Sequence, residues 1–260
     1  MTTLKISIII SVLNGSKTLE RCIRSVVSQA YPNKELIIID GGSEDGTVAI
    51  LRKYDKNIFY WKSEPDRGIY HAWNKALKHV SGEWICFLGA DDYFWKPHVL
   101  RGLVPHLMKA EESNIRVVYG RIAKLDNNGH VVTFAGKPWK KIRWQMPHGM
   151  PLSLPHSGLM HHRKLFENHG LFDESFKIAG DYEFLLRELK NSQALYADGL
   201  LTVGFQVGGT ADSSPLLCHR EIARARWKNG LRGPSWLWVL IYIRAILRSP
   251  FFFVKHLFFS

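Results

Sequence analysis

The chain has 260 residues, 46% of them hydrophobic, 12% aromatic and 22% charged, which suits one large packed domain and excludes a disordered or fibrous chain. Its three cysteines, Cys22, Cys86 and Cys218, are too few and too far apart for a disulfide framework or a thiolate zinc site, so a reducing compartment is expected. The formal net charge of +12 favours a polyanionic partner, either nucleic acid, an anionic membrane surface or a phosphorylated substrate.

The N-terminus lacks the charged start and small-residue cleavage site of a secretory signal, so a cytoplasmic chain is expected. Leu4 to Val12 is a nearly unbroken isoleucine-rich run ended by Asn14-Gly15, which predicts a central parallel strand. Leu19, Cys22, Ile23, Val26 and Val27 then recur at steps of three and four, the pattern of a helix with one apolar stripe. Glu35 to Asp40 is a second strand, and Gly41-Gly42-Ser43-Glu44-Asp45-Gly46 is a tight loop before a short helix with Val48 and Leu51 inward. Ile58 to Trp61 is a third strand, Tyr70, Trp73 and Leu77 mark a helix, and Trp84 to Leu88 is a fourth strand. This alternation predicts a doubly wound α/β sheet whose ligands sit beyond the carboxyl ends of its strands.

Farther on, a helix is expected around Leu100 to Leu107, with short strands at 116–119 and 130–134. A basic loop without clear period, 137–155, carries Trp139 and Trp144 and is read as a functional lid over an acceptor. Two more helices are expected near Leu165 to His169 and Tyr182 to Lys190. We divide the chain into one domain, 1–219, with a nucleotide half 1–98 and an acceptor half 99–219, followed by a tail, 220–260. The tail holds eight Lys and Arg against Glu221 alone, and charges interrupt its apolar run before a bilayer-spanning length is reached. An amphipathic segment lying on an anionic membrane surface is expected; a C-terminal helix packed on the core or on a second subunit is the alternative.

Asn14, Asp40, Asp66 and the pair Asp91-Asp92 all follow strand ends and so converge on one rim of the sheet. Adjacent carboxylates repel, and a hard divalent cation such as Mg2+ or Mn2+, or ribose hydroxyls, would offset that charge; capping acids are the alternative. Acids at the ligand rim argue against a nucleic-acid binder despite the net charge.

The motifs Ser11-Val12-Leu13-Asn14-Gly15, Ile37-Ile38-Ile39-Asp40-Gly41-Gly42-Ser43-Glu44-Asp45-Gly46-Thr47, Glu64-Pro65-Asp66-Arg67-Gly68-Ile69-Tyr70 and Asp91-Asp92 together resemble those of the family 2 glycosyltransferases, of the surface-polysaccharide type. The blocks Pro155 to Arg163 and Ile178 to Arg187 extend the resemblance through roughly residue 210. The resemblance implies a GT-A fold and inverting transfer of a sugar from a nucleoside diphosphate, UDP foremost, to a saccharide acceptor expected to be lipid-linked. It implies that Asn14 and Asp40 hold the base, Asp66 and Gly68 line the nucleotide pocket, Asp91 contacts ribose or metal, and Asp92 binds Mn2+ or Mg2+ on the diphosphate. Asp181 is implied as the general base, with an N-cap role as the alternative, and His156 orients the acceptor or approaches the diphosphate. Arg67 and Arg187 are candidate phosphate partners, His161 and His162 are left unassigned, and His71 stands where similar sequences often carry Asp. A non-catalytic sugar-nucleotide binder of the same fold remains the alternative.

Overall fold

In a computed structural model the described residues are 4–209, 213–231, 233, 235, 236, 238–240 and 243. They form one mixed sheet in the order β3-β2-β1-β4-β8-β6-β9-β5, with β7 paired to β6. The strands are β1 (Ile6–Val12), β2 (Lys34–Asp40), β3 (Tyr60–Ser63), β4 (Trp84–Gly89), β5 (Tyr93–Phe94), β6 (Val117–Leu125), β7 (Val131–Ala135), β8 (Met160–His162) and β9 (Leu195–Gln206). The helices are α1 (Leu19–Val27), α2 (Thr47–Lys53), α3 (Ile69–Leu77), α4 (Val99–Glu112), α5 (Trp139–Ile142), α6 (Lys164–His169), α7 (Gly180–Leu189) and α8 (Pro215–Lys228).

The four strands of the first half are mutually parallel, as expected, and their register sets the site. Val12 lies beside Asp40, Asp40 beside Ser63, and Ser11 beside Gly89, so four strand ends stop on one row and their loops leave together. The isoleucines of β1 explain the unbroken apolar run. Ile6, Ile8 and Ile10 pack with α1 and α4 on one face, while Ile9 packs with α3 and α7 on the other, so both faces are buried.

The acceptor half is less regular. β8 is antiparallel to both β4 and β6, and β9 runs parallel to β6 with two register shifts. The long strand β9 is not evident in the sequence because Asp198-Gly199 and Gly204 break its alternation. The loop 137–155 is also more ordered than expected. Trp139 and Ile142 of α5 are buried in the core, and the exposed Trp144 borders a cleft of about 480 Å3 with Leu189 and Lys190. That cleft lies at the carboxyl end of α7, roughly 12 Å of helix away from Asp181 at its start, whereas the far end of the loop, at Leu152, reaches Tyr182 beside Asp181.

The boundary expected at 219/220 falls inside α8. Arg226, fully buried, donates to the carbonyl oxygens of Met146 (2.8 Å) and Met150 (3.1 Å), and Lys228 pairs with Asp173 at 2.7 Å. These charges therefore hold α8 against the domain and are not free to face lipid. Beyond it, Trp238 is buried against His219, whereas Trp236, Leu240 and Ile243 are exposed. Among the described residues no helix is long and apolar enough to cross a membrane. The remaining tail residues expected to lie on a membrane, including Arg244, Arg248 and Lys255, are outside the described residues.

Below the sheet, Glu35 ties β2 to β1 and to the turn before β4. It accepts from Ser7 Oγ (2.5 Å), from the backbone N–H (2.7 Å) and hydroxyl (2.6 Å) of Ser81, and pairs with Lys5 at 2.7 Å. Burial pushes its carboxyl up, but the hydrogen bonds from Lys5, Ser7 and Ser81 outweigh this and hold it down to about 2. Glu35→Gln should cost about 1–3 kcal/mol at neutral pH. Because the folded pKa is depressed, this contribution is full above the ordinary value of 4.5 and is lost as pH falls towards 2. Urea denaturation across that range should show the gap between variant and parent narrowing; a gap independent of pH would refute the assignment.

Candidate active site

The loops after β1, β3 and β4 enclose a cleft of about 440 Å3 lined by Asn14, Asp66, Gly68, Trp73, Gly89 and Asp91, among others. Four of the expected ligand residues, Asn14, Asp66, Gly68 and Asp91, therefore share one crevice at the carboxyl ends of the parallel strands. Each is set by its own loop. Asn14 has φ +51° and its Oδ1 accepts the backbone N–H of Glu44 at 3.0 Å, joining the first loop to the second. Asp66 accepts the N–H of Gly68 at 2.8 Å in the turn that starts α3.

Asp40 is placed on the rim but not in the cleft. It is fully buried, and its carboxylate accepts from the N–H groups of Gly42 (3.2 Å) and Ser43 (3.0 Å) and from the hydroxyls of Ser43 and Ser63. Four donors occupy it, so the structure gives it the role of shaping the 41–43 turn and not the base contact implied by the resemblance. Asp45, likewise, holds the start of α2 through Ser16 and Thr47.

Asp91 and Asp92 behave differently from each other. Asp91 faces the cleft, whereas Asp92 is 2% exposed and accepts from Ser157 Oγ (2.6 Å) and from the N–H of Gln206 (2.9 Å). Asp92 is thus an internal tie from β4 to the acceptor half as well as a candidate ligand. A Cβ on Gly89 would sit 2.8 Å from Asp91 Oδ1 and from Asp92 Oδ2, so only glycine permits both carboxylates to converge there. Burial, followed by the charge of Asp91, pushes Asp92 up to about 7, and burial also raises Asp91. A cation would relieve this conflict. Among the described residues no group of three or more His, Cys, Asp or Glu forms a metal cluster. Two carboxylates nevertheless fit Mg2+ or Mn2+, which commonly take one or two carboxylates plus substrate phosphates, and each Asp92 oxygen retains a lone pair.

The second centre is built around Asp181 in the first turn of α7, where its Oδ1, at 3.2 Å, shares the Tyr70 hydroxyl proton with the closer Ile178 carbonyl at 2.6 Å. About a quarter of its side chain is exposed, yet the surrounding wall is deep enough that burial raises its pKa to about 6. Gly180 is required beside it, because a Cβ there would meet the Tyr70 ring at 2.8 Å. His156 Nδ1 lies 3.7 Å from Asp181 Oδ2 and its ring stacks on Trp73 at 5.1 Å. Burial pushes His156 down to about 3, so it is neutral and the contact is not an ion pair. Trp73 borders the cleft and its ring also stacks on His156, so one indole touches both centres.

Other expected partners are used elsewhere. Arg187 is held by Glu183 and by the carbonyls of His169 and Leu171, whereas Arg67 is largely exposed and pairs with Glu174 at 2.6 Å. His161 is fully buried on β8, His162 lies near Glu111, and His71 accepts the N–H of Arg67. Tyr70, Trp73, Ser157 and Glu221 are the site residues that sequence reading did not assign. The helical spacing of Tyr70 and Trp73 marked them as apolar core, which they also are.

Residues 7–170 match the family model described as Glycosyl transferase family 2. An uncharacterised glycosyltransferase of Rickettsia typhi is 28% identical over 87% of this chain and 71% of its own length. Another, of Mycobacterium tuberculosis, is 32% identical over 70% of this chain and 68% of its own. Among solved structures, S. aureus TarS 1-349 in complex with UDP-GlcNAc shares 20% identity at a TM-score of 0.64, over 85% of this chain. This chain spans only 66% of that TarS chain. The mannosyltransferase PcManGT from Pyrobaculum calidifontis, in complex with GDP-Man and Mn2+, shares 16% identity at a TM-score of 0.68, over 95% of this chain and 70% of its own. The chain, with this match over its central residues and this GT-A architecture, belongs to glycosyltransferase family 2.

Proposed function

We propose that this protein transfers a sugar from a nucleoside diphosphate donor to an acceptor hydroxyl with inversion at the anomeric carbon. The observation that carries the reading is the pairing of an acid-lined cleft with a half-buried, raised-pKa carboxylate, linked through Trp73 and His156. Asn14, Asp66 and Gly68 bind and orient the nucleotide, and Asp91 and Asp92 would hold a divalent cation, which neutralises diphosphate charge when bound. The acceptor oxygen forms a bond to the anomeric carbon while the bond to the diphosphate oxygen breaks, its electron pair leaving with the diphosphate. Asp181 takes the proton from the acceptor hydroxyl, and neutral His156 lines its approach. The donors held by TarS and PcManGT make UDP-sugars the first to test and GDP-sugars the second.

The acceptor is assigned as a lipid-linked saccharide in surface polysaccharide assembly, with the protein attached to the cytoplasmic face of the membrane. Exposed Trp227, Trp236, Leu240 and Ile243 near the basic end of the chain support this attachment.

Asp181→Asn should lower kcat at least 10²-fold while the donor still binds. In the parent, kcat should rise with pH through about 6, because the base acts only when ionised. The folded pKa lies above the ordinary 3.8, so ionising Asp181 costs stability as pH rises past that value. The asparagine variant should therefore be more stable than the parent above pH 6, by about 1–3 kcal/mol in urea denaturation. Undiminished transfer by this variant would refute the assignment.

Chelation with EDTA should abolish transfer and Mn2+ should restore it. Asp91→Asn should raise the Mn2+ required roughly tenfold or more without lowering Tm, since Asp92 keeps its ties to Ser157 and Gln206. An unchanged metal requirement in an Mn2+ titration would exclude Asp91 as a ligand.

Vesicles containing anionic lipid should cosediment the protein and neutral vesicles should not, with binding weakened by salt at about 1 kcal/mol per basic residue screened. Trp236→Glu combined with Leu240→Glu should reduce that cosedimentation; equal binding to neutral vesicles would contradict the electrostatic component.

A further inference from the structure

The segment that delivers Asp181 is not held by its own helix. The N-cap position of α7 is Ala179, which offers no side-chain oxygen to the unpaired N–H groups at the helix start. Glu221 of α8 instead holds the three residues that lead into the helix. Its carboxylate, 6% exposed, accepts from the backbone N–H groups of Lys177 (2.9 Å), Ile178 (2.7 Å) and Ala179 (2.9 Å). From the opposite side the Tyr70 hydroxyl donates to the carbonyl of Ile178 at 2.6 Å and accepts from the N–H of Gly180 at 2.8 Å. Five backbone groups in four successive residues are thus pinned, immediately before the carboxylate that the reaction uses. α8 lies beyond the family-matched residues 7–170, and Arg226 and Lys228 fasten it in place.

We propose that Glu221 is a positioning residue for sugar transfer: by holding residues 177–179 it places Asp181 against the acceptor hydroxyl and makes α8 part of the active centre. The inference rests on the reading of Asp181 as general base. Placement matters here because small displacements of a reacting group, even about 1 Å, cost up to roughly 10²-fold in rate. Glu221, engaged with three backbone N–H groups, is not a second base itself.

The test compares full-length Glu221→Ala and Glu221→Gln with the parent and with Asp181→Asn. Alanine should lower kcat at least roughly tenfold with donor KM and the calorimetric Kd for the nucleotide unchanged. Glutamine keeps a carbonyl oxygen for Ile178 and Ala179 and should recover part of that loss. In the Asp181→Asn background, Glu221→Ala should slow transfer no further, because its effect passes through the base. A variant that folds and retains the parental kcat overturns the proposal, as does an undiminished effect in the Asp181→Asn background. If alanine does not fold, the glutamine variant decides by the same split between kcat and donor affinity. Full activity in Asp181→Asn alone would instead remove the base assignment, a result distinguishable from failure of the Glu221 inference.

Discussion

Asp91 and Asp92 are pressed together above Gly89 at the end of a buried strand, and much of the molecule is arranged around that electrostatic conflict. Burial of two neighbouring carboxylates raises the pKa of both, and Asp92 reaches about 7. Such a pair would be removed by any fold selecting for stability alone, since hydrophobic replacements of similar volume commonly stabilise buried charged sites. Here the arrangement stores a preference for positive charge at the edge of the cleft that Asp91 lines. Asp92 also ties Ser157 and Gln206 to the parallel half of the sheet, so one of these two carboxylates also joins the two halves.

Asp181 is tuned in a similar manner: burial supplies most of its rise, with backbone and Tyr70 hydrogen bonds acting against it and the charge of Glu221 adding to it. The result is a carboxylate that is ionised at neutral pH yet basic enough to draw a proton. Tyr70 and Trp73 sit one helical turn apart on α3, whose first residues also border the cleft, so one helix carries both the Tyr70 contact to Asp181 and the Trp73 stack on His156.

The first half of the fold was readable in the residues because its signals are local. Each strand of the parallel set is a compact apolar run, and each ends in a polar loop whose position follows from topology. The second half was not, because β9 is broken by glycines and β8 is three residues long, so neither has a period to detect. Trp139 resembled a solvent-facing aromatic in a basic loop, but its burial is decided by the packing of α5 against the sheet.

By itself the sequence determined the parallel α/β core, the acidic rim and the identity of Asp181 as a residue at a helix start. Those follow from hydrophobic period and from carboxylates placed after strand ends, which need no knowledge of distant contacts. Only the tertiary structure decided that Asp40 is consumed by its own turn, that Asp91 and not Asp92 faces the cleft, and that Glu221 holds the backbone just before Asp181. The physical reason is that a carboxylate's role depends on which donors surround it, and here those donors come from strands, loops and a helix far apart in the chain.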